Sequence, residues 1–240
     1  MTSPSPLPTP SSPPSAAPSP APREFYDTQY HFAEDAERPD EKRIWHALRH
    51  LHPLRGSDFL DLGCGAGWAT RLVKAEGNAR RVVGLDFSRT GLGIARRHTP
   101  QILWIQADGT ALPLADGAFD RLFCNGALEH FPDVRRGLGE IARVLRPGGR
   151  AVLIVPNFYV KTEQPMEFRT HWWGWKKLLG DAGLRVVGTG IDWGPPVFKN
   201  TSLKRALARL AGKMLCLVPR MQYQFIFVVT PAPRRDGQKS

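Results

Sequence analysis

The 240-residue chain contains no apolar run of the roughly 18 residues that a membrane-spanning helix needs. The longest candidate near its end, Phe225 to Val229, has the length of a strand. Cysteine is scarce. Cys64, Cys124 and Cys216 stand far apart, form no CxxC pair and match no zinc spacing, so neither a disulfide framework nor a metal knuckle is indicated. A reduced, cytoplasmic setting is the expectation. Acidic residues are outnumbered 22 to 33 by Lys and Arg. The N-terminus lacks charge altogether until Arg23, and it lacks the basic start and apolar centre of a secretory signal.

What fills that N-terminus is proline and serine, nine and six of the first 22 residues. Such a segment can bury little apolar surface, and proline donates no backbone hydrogen bond. Residues 1–22 are read as a disordered or polyproline-like tail, 23–232 as one domain, and 233–240 as a polar tail. The positive charge is uneven, with eleven Lys or Arg against four Asp or Glu over residues 161–220. A basic half can meet an anionic small molecule, an anionic membrane or nucleic acid, or it can simply keep the protein soluble.

After the tail, RIWHALRHL (43–51) sets Ile44, Ala47, Leu48 and Leu51 at helical spacing, with Pro53 ending the run. Strands and helices then alternate. Strands are expected at 58–62, 81–86, 102–107, 119–124, 150–155, 184–190 and 223–230. Helices are expected at 68–75, after a Ser88 cap, at 134–145 closed by the turn Arg146-Pro147-Gly148-Gly149, and at 172–182. The second and fifth strands (VVGL, AVLIV) are apolar nearly throughout, as strands covered on both faces of a parallel sheet are. Repeated strand–helix units imply a doubly wound α/β sheet, which binds ligands beyond the carboxyl ends of its strands.

The unusual residues fall at those ends. The first strand closes in Asp61-Leu62-Gly63-Cys64-Gly65-Ala66-Gly67-Trp68. A dinucleotide fingerprint would place its third glycine where Trp68 stands, and no Lys-Ser/Thr pair follows to make a phosphate loop. Asp86 closes the second strand, where a carboxylate can accept from both hydroxyls of a ribose, and Asp108 closes the third. Either aspartate alone could be a loop or capping residue. Acidic residues at three successive strand ends are harder to read that way.

The segments DFLDLGCGAG (58–67), VVGLDFS (82–88), QADGTALPLADGAFDRL (106–122), NGALEHFPD (125–133) and RVLRPGGRAVLIVPN (143–157) resemble, in order and spacing, the small-molecule branch of the class I S-adenosylmethionine-dependent methyltransferases. The resemblance implies a Rossmann-like doubly wound sheet of seven strands, mostly parallel with the last antiparallel. It implies S-adenosylmethionine as cofactor. Gly63, Cys64, Gly65 and Gly67 would wrap its methionine part and Asp61 would support its ammonium. Asp86 would hold the ribose with Phe87 against the adenine, and Asp108 and Gly109 would meet the adenine edge. Asn125 would sit beside the sulfonium. No metal is implied.

Methyl transfer needs a base only when the acceptor must lose a proton. Glu129 and His130, in the loop after the fourth strand, are the candidates, and His130 can equally shape the pocket. His171, Trp172, Trp173 and Trp175 lie where relatives build the acceptor pocket, with Trp175 read as core. Tyr26, Tyr30 and His31 can form a lid or a surface arm. In the insert 192–222, Leu203, Leu207, Leu210, Met214 and Leu217 make one helical stripe opposite Lys204, Arg205, Arg209 and Lys213. That stripe either packs on its own domain or rests on an anionic membrane as a peripheral contact, in which case the acceptor is lipid-linked.

The leading expectation is thus an enzyme that methylates an O, N or C atom of a small-molecule or lipid-linked, even anionic, acceptor. A nucleic-acid methyltransferase is disfavoured, because NGALEH stands where an NPPY-like motif would be and no RNA-binding domain is visible. A non-catalytic cofactor-binding scaffold remains open. A nicotinamide dehydrogenase fits least.

Overall fold

A computed structural model of the chain describes residues 41–158, 167–192 and 224–233. The expectations for the proline-rich tail, for Tyr26, Tyr30 and His31, for the 203–217 stripe, for Cys216 and for the C-terminal tail beyond 233 lie outside the described residues.

Helix α1 (Glu41–Leu48) continues as a 3-10 turn (Arg49–Leu51). Then follow β1 (Asp58–Leu62), α2 (Trp68–Glu76), β2 (Arg81–Asp86), α3 (Arg89–His98), β3 (Leu103–Gln106) and β4 (Phe119–Asn125). A 3-10 turn (Leu128–His130) leads to α4 (Val134–Val144), β5 (Leu145–Pro156), α5 (Trp172–Asp181), β6 (Leu184–Ile191) and β7 (Gln224–Pro231). The seven strands form one sheet in the order β3-β2-β1-β4-β5-β7-β6. β1 to β5 run parallel, and β7 is antiparallel to both β5 and β6. The expected α/β sheet, mostly parallel with an antiparallel last strand, is what forms.

Side-chain alternation assigns the two faces. Leu60, Leu62, Val83, Leu85, Leu122, Leu153, Phe225 and Phe227 point to one side, where Leu138, Ile141 and Val144 of α4 and Trp175 and Leu179 of α5 cover them. Phe59, Val82, Phe123, Val152, Ile154, Ile226 and Val228 point to the other, against Ile44 and Leu48 of α1 and Val73 of α2. Phe59 is fully buried, and its truncation to Ala would cost about 3–5 kcal/mol. Side-chain caps start two helices, and the first of them is the expected Ser88 cap. The Ser88 hydroxyl accepts from Gly91 N, and the Asp133 carboxylate accepts from Arg136 N.

Most boundaries shift by at most one residue, and two differ by more. Helix α1 begins two residues earlier and tightens into its 3-10 turn before Pro53. The Arg146-Pro147-Gly148-Gly149 segment is not a turn that separates α4 from β5. Leu145 already pairs with Phe119, and a register shift between Phe119 and Arg121 absorbs the Pro-Gly-Gly irregularity inside the strand.

Strand order reverses direction between β1 and β4, so the connections leave the sheet on opposite faces there and open a crevice at the carboxyl ends. The candidate site occupies it.

Candidate functional site

The cavity at this crevice is lined by the ends of four strands. β1 contributes Leu62 and Gly63, β2 Leu85, Asp86 and Phe87, β3 Ala107, Asp108 and Gly109, and β4 Asn125, Gly126 and Ala127. His130, Phe131 and Pro132 close one side.

The turn after β1 is held from both directions. Gly63 N and Cys64 N both donate to Leu85 O, at 2.8 and 3.0 Å. Gly65 N donates to Asp86 Oδ2 at 2.7 Å, and Ser88 N donates to Asp86 Oδ1 at 2.8 Å. Asp86 therefore ties the glycine turn to the end of β2 at the edge of the cavity. Gly63 and Gly67 have φ of 73° and 78°, the left-handed region that glycine enters without penalty. A side chain on Gly63 would strike Ala127, and one on Gly67 would strike the Trp104 ring. That ring is buried and also covers Gly84. Its indole N–H donates to Thr99 O at 2.9 Å.

Asp108 Oδ1 accepts from both the amide and the hydroxyl of Thr110 at 2.8 Å, which fixes the carboxylate at the end of β3. The following loop is fastened to α4 by Arg143, whose guanidinium donates to Leu112 O, Leu114 O, Asp116 and Glu140. Phe131 lies edge-on against Gly109 and Gly137, so both positions must lack a side chain for the ring to reach the cavity wall.

Of the expected cofactor residues, the fold brings Gly63, Asp86, Phe87, Asp108, Gly109 and Asn125 together around the cavity, with His130 beside them. Phe87 is 43% exposed. Asp61, Cys64, Gly65 and Gly67 do not line it. Asp61 is buried beneath the turn and accepts from the Thr70 hydroxyl at 2.5 Å. Burial first, then the charge of Asp86, pushes its carboxyl up to about 7 against the pull of Thr70. The Cys64 thiol is pushed well up by burial and by Asp61 and Asp86. Gly67 serves as the seat of Trp104.

Glu129 is also set behind the wall. It is 3% exposed, its backbone carbonyl accepts from Phe168 N at 2.8 Å, and its Oε1 lies on the side-chain side of Gly126. Burial, with the charge of Glu167 adding to it, pushes this carboxyl up to about 8. Among the described residues no three His, Cys, Asp or Glu side chains gather as metal ligands.

The aromatic cluster divides. Trp175 is core, and its N–H donates to Pro156 O at 3.1 Å. Trp172 packs on Phe225 and Phe227, at ring separations of 5.4 and 4.6 Å. Trp173 faces solvent with Lys176 over its ring. His171 stands at the helix start against Phe158, with ring centres 4.4 Å apart.

Sequence reasoning missed Trp104, Phe131 and Thr70. The mid-strand Gly84 was a usable sign of a close approach, but nothing in the chain says which ring approaches.

Residues 60–153 match the family described as a methyltransferase domain. Over 112 residues the chain is 42% identical to a 2-phytyl-1,4-naphtoquinone methyltransferase of Thermosynechococcus vestitus, covering 45% of this chain and 50% of that one. Over 119 residues it is 38% identical to a demethylmenaquinone methyltransferase of Lactococcus lactis, covering 46% and 47%. The chain thus spans about half the length of the curated relatives it matches. Among solved structures it is similar to the methyltransferase in a Haloferax volcanii complex with the Trm112 activator, at TM-score 0.68 and 22% identity, covering 87% of this chain and 98% of that one. It is also similar to the [4+2]-cyclase SpnF, at 0.67 and 18%, covering 89% and 99%. At these identities the likeness speaks for the fold. That one neighbour is a cyclase shows that the fold does not choose the reaction.

Proposed function

We propose that this protein is an S-adenosylmethionine-dependent methyltransferase acting on an O, N or C atom of a small-molecule acceptor. The observation that carries the reading is the pair of carboxylates, Asp86 and Asp108, anchored at successive strand ends and facing one cavity. The donor set fits the cofactor. S-adenosylmethionine has a sulfonium and an ammonium and no phosphate, and carboxyls around this cavity attract the first two as strongly as they would repel a pyrophosphate.

When bound, the cofactor supplies a methyl group already activated for displacement by the positive sulfur. The chain's residues hold and orient. Asp86 accepts from the ribose hydroxyls, Phe87 lies against the purine, Asp108 and Gly109 meet its amino edge, and Gly63 and Asn125 border the reacting end. Asp61 acts through the turn it supports. His130 borders the same cavity and shapes the acceptor's approach. Positioning of this kind supplies much of the catalysis in an in-line transfer.

The named relatives are quinone methyltransferases, so a naphthoquinol-type ring is the first acceptor to assay. The basic half of the chain and the 203–217 stripe suit an anionic or lipid-linked acceptor met at a membrane surface. Among the described residues no helix is long and apolar enough to cross a membrane, and we place the enzyme in the cytoplasm. Calorimetry with S-adenosylmethionine and S-adenosylhomocysteine tests the reading. We expect micromolar binding and, with an acceptor panel, transfer of labelled methyl. A folded protein that binds neither ligand would overturn it.

A further inference from the structure

Glu129 poses a physical problem that the cofactor reading alone does not solve. Its side chain is buried, and among the described residues Oε2 has no hydrogen-bond partner. A buried carboxylate left without donor or counter-charge is costly, so such a group keeps its proton. The groups that face it do not relieve the cost. Its own loop offers one backbone amide, segment 167–170 brings Glu167, and β4 brings the Cys124 thiol. Arg169 of the same segment is directed to Glu167 at 3.8 Å. Asp61, buried beneath the turn after β1, is in a similar state, with the Thr70 hydroxyl as its side-chain donor and Asp86 as a charged neighbour. Gly63, Asn125, Gly126 and His130 line the cavity. At Gly126 no side chain intervenes between the wall and the Glu129 carboxyl.

A site that buries uncompensated acids is built for a cation. We propose that Glu129 is a charge-sensing proton store, releasing its proton to solvent when the cationic methyl donor occupies the cavity and taking up the acceptor's proton once transfer has left the sulfur neutral. This rests on the methyltransferase reading and adds to it where the proton goes. The balance is complete. The acceptor's lone pair forms the new bond to the methyl carbon, and the electron pair of the broken carbon–sulfur bond stays on sulfur. The acceptor's proton ends on Glu129. Of the groups that change, one positive and one negative charge are present before transfer and neither afterwards. The class of acceptor follows: an atom that carries a proton in its resting form, such as a hydroxyl, an amine or an acidic C–H.

S-adenosylmethionine and S-adenosylhomocysteine share every charged group except the sulfonium, so their difference isolates it. The experiment is calorimetric binding of both ligands to the full chain at pH 7, repeated in buffers of different ionisation enthalpy to count protons. A nearby cation lowers a carboxyl by 1–3 units. From a starting point of about 8, the sulfonium should release roughly 0.4 to 0.9 proton per site beyond the homocysteine ligand. Glu129→Gln mimics the protonated acid in shape and should bind both ligands with most of that difference removed, the remainder being what Asp61 releases, whereas Asp61→Asn should keep the larger part of it. Equal proton counts for the two ligands, an undiminished difference in Glu129→Gln, or its complete loss in Asp61→Asn would each overturn the proposal while leaving the cofactor reading intact. No binding of either ligand by folded protein would overturn the cofactor reading instead, and this inference with it.

Discussion

Asp58 and Asp61 lie on the same strand, both almost fully buried, and the two ends of the sheet treat them differently. At the amino end Asp58 receives Arg80 at 2.6 Å and Arg146 at 2.9 Å, with Arg81 at 3.4 Å. Burial pushes its carboxyl up, but the hydrogen bonds from Arg80 and Arg146 and the charge of Arg81 outweigh burial and hold it below the ordinary range. Asp120 beside it is held down in the same way, by the Asp58 amide and by Arg146. At the carboxyl end no arginine among the described residues reaches Asp61 or Glu129, and burial pushes both carboxyls up. One end is an internally neutralised clamp on β1, β2, β4 and β5. The other is left electrostatically unfinished, and the missing charge is the kind a cationic ligand brings.

Substitutions at the two ends should therefore separate stability from binding. The largest effect is expected at Trp104→Ala, which empties the seat shared by Gly67 and Gly84. It should cost about 4 kcal/mol of stability and weaken cofactor binding as the turn loosens, both read by denaturant titration and calorimetry. Next is Asp86→Ala. Losing the ribose contact should weaken S-adenosylmethionine by about 10- to 100-fold, or roughly 1.4–2.8 kcal/mol, and unchanged affinity would show that the cavity does not hold the ribose there. Asp58→Asn should do the reverse. A midpoint lower by about 5 °C with unaltered ligand affinity would confirm the division, and a matching loss of affinity would break it.

A pH dependence of opposite sign is also expected at the two ends. The carboxyls of Asp61 and Glu129 sit higher in the folded protein than in the unfolded chain, at about 7 and about 8. Their contribution is present in full below the unfolded values near 4 and is lost as pH rises through the folded ones, because the unfolded chain then holds fewer protons. Asp58 and Asp120 are lowered, so their contribution is present above the unfolded value and is lost as pH falls through the folded one. Thermal melts of ligand-free Asp61→Asn and Glu129→Gln should decline less than wild type between about pH 5 and 8. Identical slopes would mean that neither acid holds its proton in the fold.

Much of the site was legible because its chemistry sits at strand ends, and strand ends are local events. Apolar runs closed by an acid or a glycine located β1, β2 and β3, and the Ser88 cap and the order of elements followed from period and turn residues. The last strands were less transparent. Nothing local says that β7 slips between β5 and β6, since pairing is chosen by the whole sheet. The Pro-Gly-Gly segment reads locally as a turn, yet pairing with Phe119 draws it into a strand. The roles of Gly67, Gly84 and Gly109 depend on the rings of Trp104 and Phe131, distant along the chain.

By itself the sequence determined the alternation of strands and helices, the glycine turn, and the carboxylates that end β2 and β3, because spacing and residue type act over a few residues. Only the tertiary structure decided which acids would be compensated. Asp58 and Asp61 are the same residue type in the same strand, and what sets them apart is whether arginines from other elements arrive beside them. Charge compensation depends on distance through space, and folding alone sets that distance.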